Sequence, residues 1–218
     1  SAGSSLEDLA ARYGAAYPWL VAVTVLSAFS TVVLTSSIVN VAVPDVMGAF
    51  GVGQDQVQFI ATAFFATMTA SLLISPWVVD KLGVQLTFSI SLVLFAIGSL
   101  ISTFSPNLPV IIFGRVVQGV GSGVMQPLVM MALVQAFPPE RRGMAMGIFS
   151  LGIVCAHGVG PYMGGLTIDA FHWRFIFLLP LPIVVFAFVM GLLFLPSRVK
   201  GTNASFDWLG FALLSVSI

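Results

Sequence analysis

Between Val110 and Val134 the chain carries one charged residue, Arg115, in an apolar run long enough to cross a bilayer as a helix. An unpaired charge at the bilayer centre costs about 2.5–3.5 kcal/mol on insertion scales. An arginine so placed must therefore face protein or water. Charges and prolines divide the rest of the chain into comparable runs. The spans predicted are Trp19 to Val41 (broken by Pro44 and Asp45), Val57 to Val79, Val84 to Phe104, Leu108 to Val134, Met144 to Ile168 and Phe175 to Leu195. A further run begins at Trp208 and reaches Ile218.

Composition agrees with a membrane protein. Charged residues are 7% of the chain, against about 25% in ordinary soluble domains. The net charge is zero, which gives nucleic acid no electrostatic footing. The single cysteine, Cys155, permits no internal disulfide and reads as a small buried hydrophobe. No basic stretch followed by a short apolar one opens the chain, so no cleavable signal peptide is expected. Metal-ligand spacing, a phosphate-binding loop and a nucleophile elbow are all missing from the sequence. The chain is expected to be no enzyme and to need no metal or cofactor.

The expected organisation is a segment 1–18, a six-span bundle 19–195, a linker 196–207 and the start of a seventh span at 208–218. Ser5 and Asp8 form a potential capping box. Leu6, Leu9 and Tyr13 then share one face, as in a short interfacial helix. Lys and Arg set orientation. With the N-terminus inside, the inner segments hold Arg12, Lys81, Arg141, Arg142, Arg198 and Lys200, and the outer ones only Arg174. This predicts a cytoplasmic N-terminus in the plasma (inner) membrane. It also places the sequon at Asn203 in the cytoplasm, where it is not used. "SPWVVDKLGV" (Ser75 to Val84) is echoed by "GGLTIDAFHW" (Gly164 to Trp173), three spans later and on the opposite membrane face, as an inverted three-plus-three repeat requires.

Several motifs resemble one family. "FGRVVQGVGSG" (Phe113 to Gly123) resembles the fourth-helix motif of the major facilitator superfamily, and "VVDKLG" (Val78 to Gly83) its loop between helices 2 and 3. "AHGVGPYMGG" (Ala156 to Gly165) resembles its fifth-helix antiporter motif. "SSIVNVAVPDV" (Ser36 to Val46), "WRFIF" (Trp173 to Phe177) and "FDWLGF" (Phe206 to Phe211) are similar to the fourteen-helix drug:proton antiporter branch. The fold this implies is all-α and polytopic: the six-helix N-terminal half of a major facilitator, plus the start of helix 7.

The resemblance implies secondary active export of amphipathic small molecules by alternating access, in exchange for protons. Arg115, Gln118, Asn40 and Thr35 would serve substrate or proton coupling. Arg115 has a structural alternative, in which it bonds backbone carbonyls near the outer end and shapes helix packing. Asp80 and Gly83 would belong to a gate, although Pro76, Val84 and Gln85 stand where the family has glycine and basic residues. Thr35 stands where the drug antiporters carry aspartate, and no acid lies deep in any span. Gly152, Ala156, Gly160 and Gly164 recur at every fourth position as a smooth packing face. With Pro161 and Gly165 they complete the antiporter motif. His157 beside them is either a titrating group or a hydrogen-bonded interior histidine. Expected partners are a small-molecule substrate, protons, membrane lipid, the C-terminal half of the same transporter and, as a candidate, a periplasmic adaptor. The alternatives are the same fold carrying a lipid or metabolite, or a non-transporting scaffold or sensor.

Overall fold

The protein is known from a computed structural model that describes residues 6–197. Among them the helices are α1 (Leu6–Tyr13), α2 (Tyr17–Ile38), α3 (Val43–Phe50), α4 (Gln54–Val57), α5 (Phe59–Leu82), α6 (Val84–Thr103), α7 (Leu108–Ala136), α8 (Arg142–Ala170) and α9 (Leu181–Phe194). Six helical stretches are long and apolar enough to cross a membrane. The linker from Arg198 onward, the sequon at Asn203, the seventh span and Ser5 of the capping box lie outside the described residues.

The first span runs further than expected. Pro44 does not break it: a 3-10 turn at Val39–Ala42 leads straight into α3, and helical structure continues to Phe50. Pro44 sits in the first turn of α3, where its missing N–H has no intrahelical partner to lose. Gly51, in the left-handed region at φ 62°, then ends the helix. The sixth span runs Trp173–Phe194, within two residues of the expectation; its first turns, "WRFIF", are 3-10 and the α-helix itself starts at Leu181. Asn107 caps α7, its Oδ1 accepting from Val110 N–H at 3.1 Å.

The six spans run alternately up and down. At the basic end, which carries Lys81, Arg141 and Arg142, Tyr17 Oη donates to Phe194 O at 3.2 Å and Gln85 Nε2 to Leu192 O at 2.8 Å. Arg142 Nε there donates to Val134 O at 3.1 Å and closes the turn between α7 and α8. At the opposite end Arg174 Nη2 donates to Ser105 O at 3.1 Å, and its guanidinium lies 4.6 Å from the Trp173 ring centroid. α1 docks on the basic end through buried Leu9 and an edge contact between Tyr13 and Phe194.

α7 packs most extensively on α5, and α2 packs on α8. The first span of each triplet thus lies against the middle span of the other, as an inverted three-plus-three repeat demands. Both pairings use small residues. A Cβ on Gly119 would strike Thr67 and the Phe64 carbonyl, and one on Gly123 the Met68 backbone. A Cβ on Gly160 would strike Ser37, and one on Gly164 would meet Ile38 Cγ1 at 2.6 Å. Close approach of backbones substitutes for the hydrophobic drive that lipid cannot supply.

α5 and α8 are the least covered spans. Only 22% of the most apolar window of each is buried, against 61% for α7. Cys155, expected inside, is exposed because its position on α8 points away from α2.

Candidate functional site

α7 is held between α5 and α6 with almost no intervening side chains. Gly114 and Gly121 meet α6 at Gly98, Ser102 and Ser91, while Gly119 and Gly123 meet α5. Arg115 and Gln118 fall within this sandwich and are 1% and 0% exposed.

Among the described residues the arginine's partners are neutral acceptors and an aromatic ring rather than an acid. Its Nε donates to Ile60 O at 3.2 Å, and its Nη1 to Gln118 Oε1 at 2.9 Å. Its guanidinium carbon stands 4.0 Å from the Phe64 ring centroid, a cation–π contact. Gln118 Nε2 continues the chain to Ser99 Oγ at 2.6 Å. One charge is thereby spread over three helices: α7, α5 (Ile60, Phe64) and α6 (Ser99). Such networks are high-stakes, since a half-satisfied one costs more than an apolar core.

Other residues singled out in the sequence lie elsewhere. Arg115 and Gln118, which the resemblance assigns to substrate or proton coupling, lie inside the packing because glycines on α7 draw α5 and α6 over them. Thr35 on α2 is buried, and its Oγ1 has no hydrogen-bond partner among the described residues. Asn40 is exposed in the 3-10 turn after α2. Asp80 is exposed in the last turn of α5. Gly83 follows it at φ 82°, ψ 166°, and its N–H donates to Val79 O at 2.8 Å. That backbone region is essentially restricted to glycine, so one residue both ends α5 and starts α6.

On α8, Ala156, Gly160 and Gly164 are buried against α2 as the stripe predicted. Gly152 and Gly165 leave open space where a Cβ would go. They fall to either side of the arc that faces α2. The helix continues through Pro161. His157 is exposed, not interior, and its Nδ1 is 3.1 Å from Ile153 O.

Ser99, Phe64 and the glycines of the α6–α7 contact, Gly98, Gly114 and Gly121, were missed. The spacing of Gly114 and Gly121 by seven carried a signal, a second small-residue face on α7 beside the one at Gly119 and Gly123.

The architecture and the buried cation define a half-bundle of a membrane transporter. The chain belongs to the major facilitator superfamily, whose family model matches residues 9–212. That family is one of membrane transporters, not enzymes. It is 34% identical over 187 residues to the multidrug export protein EmrB of Escherichia coli (strain K12), covering 85% of this chain and 36% of that protein. It is 30% identical over 198 residues to the riboflavin transporter RibZ of Clostridioides difficile (strain 630), covering 90% of this chain and 43% of that protein. An uncharacterized MFS-type transporter of Bacillus subtilis (strain 168), YhcA, is 30% identical over 199 residues, covering 91% and 37%. The chain therefore spans about two fifths of the length of the curated relatives it matches. Its fold is that of the proton:xylose symporter XylE, with a TM-score of 0.76 at 12% identity over 85% of this chain and 46% of that one.

Proposed function

We propose that this chain is the N-terminal half of a secondary transporter that exports amphipathic small molecules in exchange for protons. The observation that carries this reading is the uncovered face of α5 and α8. These are the middle spans of the two triplets, one from each repeat. A second bundle seated on both would enclose a path along the axis between the halves. Rocking of one bundle over the other then exposes that path to each side in turn.

In this reading Arg115, Gln118 and Ser99 do not touch cargo from an open wall. They fix α7 to α5 and α6, so that α5 moves as part of a rigid bundle. Asp80 and Gly83, at the basic end of α5, lie where the two bundles would part on that side. Asn40, exposed just beyond α2, and Thr35, buried within it, are the first-span residues that this reading assigns to coupling. The name of EmrB supports drug-like cargo. The name of RibZ supports a metabolite as a second reading, at similar identity. The protein would sit in the plasma (inner) membrane with its N-terminus and the Pro138 to Gly143 turn inside. A periplasmic adaptor remains a candidate partner.

The test is reconstitution of the transporter in liposomes with a pH dye inside. An added amphipathic cation such as ethidium, or riboflavin for the second reading, should release or consume protons in step with its own movement. Cargo movement with no proton signal would remove the exchange from this proposal, and no movement of either would remove the function. Orientation is checked separately by cysteines in the Pro138 to Gly143 turn of a Cys155→Ala background. They should react in intact cells only with a membrane-permeant thiol reagent.

A further inference from the structure

Proton exchange requires a group that gains and loses a proton within the path. Among the described residues, no acid supplies one. Glu7, Asp8, Asp45, Asp55, Asp80, Glu140 and Asp169 all stand in terminal turns or short elements. Arg115 is enclosed between α5, α6 and α7. His157 differs from all of these. It lies halfway along the α8 span of Arg142–Ala170, and it is exposed on one of the two least covered helices.

The register of α8 shows which way it faces. At about 100° per residue, the exposed positions fall into two sectors. Leu151, Val159, Tyr162 and Leu166 share one, bulky and apolar as a lipid-facing surface should be. Gly147, Ser150, His157, Gly158 and Pro161 share the other, with Val154 as its one bulky apolar member. No Cβ added at Gly147 or Gly158 would meet an atom within 4 Å. His157 therefore stands at the edge of that second sector, beside the side packed on α2. Contacts of Phe29 with Phe149 and of Ser37 with Gly160 bracket its level. They place buried Thr35 of α2 at about the same depth.

The hydrogen bond at Nδ1 sets the ring's chemistry. A carbonyl only accepts, so Nδ1 carries the hydrogen donated to Ile153 O. The neutral ring then holds its lone pair on Nε2, ready to take a proton without breaking that bond. Imidazole is the side chain that exchanges a proton near neutral pH.

Among the described residues no opposing charge is fixed beside it. The ionisable groups on the elements packed against α8 are Tyr17, Arg115, Glu140, Arg141 and Arg174. Tyr17 is bound to Phe194 O, Arg115 to Ile60 O and Arg174 to Ser105 O. Glu140 and Arg141 precede the first turn of α8. On α8 itself Arg142 and Asp169 lie in the end turns, and Cys155 and Tyr162 fall in the bulky sector.

We infer that His157 is the proton-carrying residue of this half, exchanging one proton at Nε2 with water on each side of the membrane in turn. The inference rests on the exchange reading above. In each cycle the ring takes a proton from outer water when the path is open outward. It returns that proton to inner water after the bundles rock. No bond to cargo is made, and one proton crosses per turnover.

The test uses the transporter at its full native length, reconstituted in liposomes, with ethidium as probe. Two activities are measured: ethidium accumulation driven by an imposed pH gradient, and ethidium exchange at equal pH. His157→Gln should lose gradient-driven accumulation and its pH dependence while keeping exchange. His157→Asp, which restores a protonatable group, should recover part of the drive. Gradient-driven accumulation undiminished in His157→Gln overturns the assignment. So does loss of both activities in every His157 variant that remains monodisperse, since that marks a structural role. A wild type that exchanges ethidium but ignores the gradient refutes proton exchange itself, and the assignment falls with it.

Discussion

Arg115 donates through Nη1 to Gln118 Oε1 at 2.9 Å, one turn along the same helix, and both side chains are sealed from solvent. The pair converts a charge that a bilayer rejects into a link between spans. Gln118 passes the connection to Ser99 of α6, while Arg115 itself reaches Ile60 O and Phe64 of α5.

Removing the arginine should cost stability as well as transport. Arg115→Ala leaves a cavity and strips the partner from Gln118 Oε1, and buried large-to-small changes cost about 2–5 kcal/mol. Arg115→Lys keeps the charge but not the planar fork that stacks on Phe64 while donating in two directions. Both variants should melt below wild type in detergent, with lysine only partly restoring the alanine loss. A melting temperature equal to wild type in Arg115→Ala would show that the network contributes nothing to packing.

The glycines of α7 and α8 should separate by what lies opposite them. A methyl group at Gly123 would sit 2.9 Å from Ser71 Cβ and press on the Met68 backbone. Overpacking of this kind costs about 1–3 kcal/mol, so Gly123→Ala should lower thermal stability. Gly158→Ala meets open space and should leave stability unchanged. Gly158→Leu should then impair transport without impairing folding, because its face is the one left for a second bundle. Equal melting shifts for Gly123→Ala and Gly158→Ala would contradict the packing described.

At the basic end, Asp80 and Gly83 should act on different quantities. Gly83→Ala forces a Cβ into a backbone region that costs about 1–3 kcal/mol for other residues. It should reduce stability and disturb the joint between α5 and α6. Asp80→Asn should slow turnover by shifting the balance between inward-open and outward-open states. Spin-label distances between the two halves report that balance. Unchanged distances with unchanged turnover would remove Asp80 from the gate.

The sequence marked every span because apolar length is a strong signal. It misjudged where the first one ends, because Pro44 reads as a breaker unless the helix restarts at that residue. Which face of each span meets protein was harder to read. Lipid and protein interior are equally apolar, so side-chain polarity does not sort them as it does in water. Glycine spacing did sort them at Gly160 and Gly164. The partners of Arg115 were hidden for another reason. Phe64 and Ser99 come from different spans, and neither is unusual in its own run.

The 218-residue chain should insert and fold but not transport alone. Its buried charge already has partners within the bundle, so no polar group of the Arg115 network is left against lipid. Folding of the half is therefore self-sufficient in that respect. Transport is not. α5 and α8 leave most of their surface uncovered, with His157, Ser150 and open glycines along one side of α8. A path between two bundles needs a second bundle to close it, and the curated relatives extend well beyond the matched region. Purified chain should show helical melting in detergent and no counterflow of ethidium in liposomes. Counterflow by the purified chain, with cross-linking through cysteines on α8 to a second copy, would show instead that two such halves assemble into a working transporter.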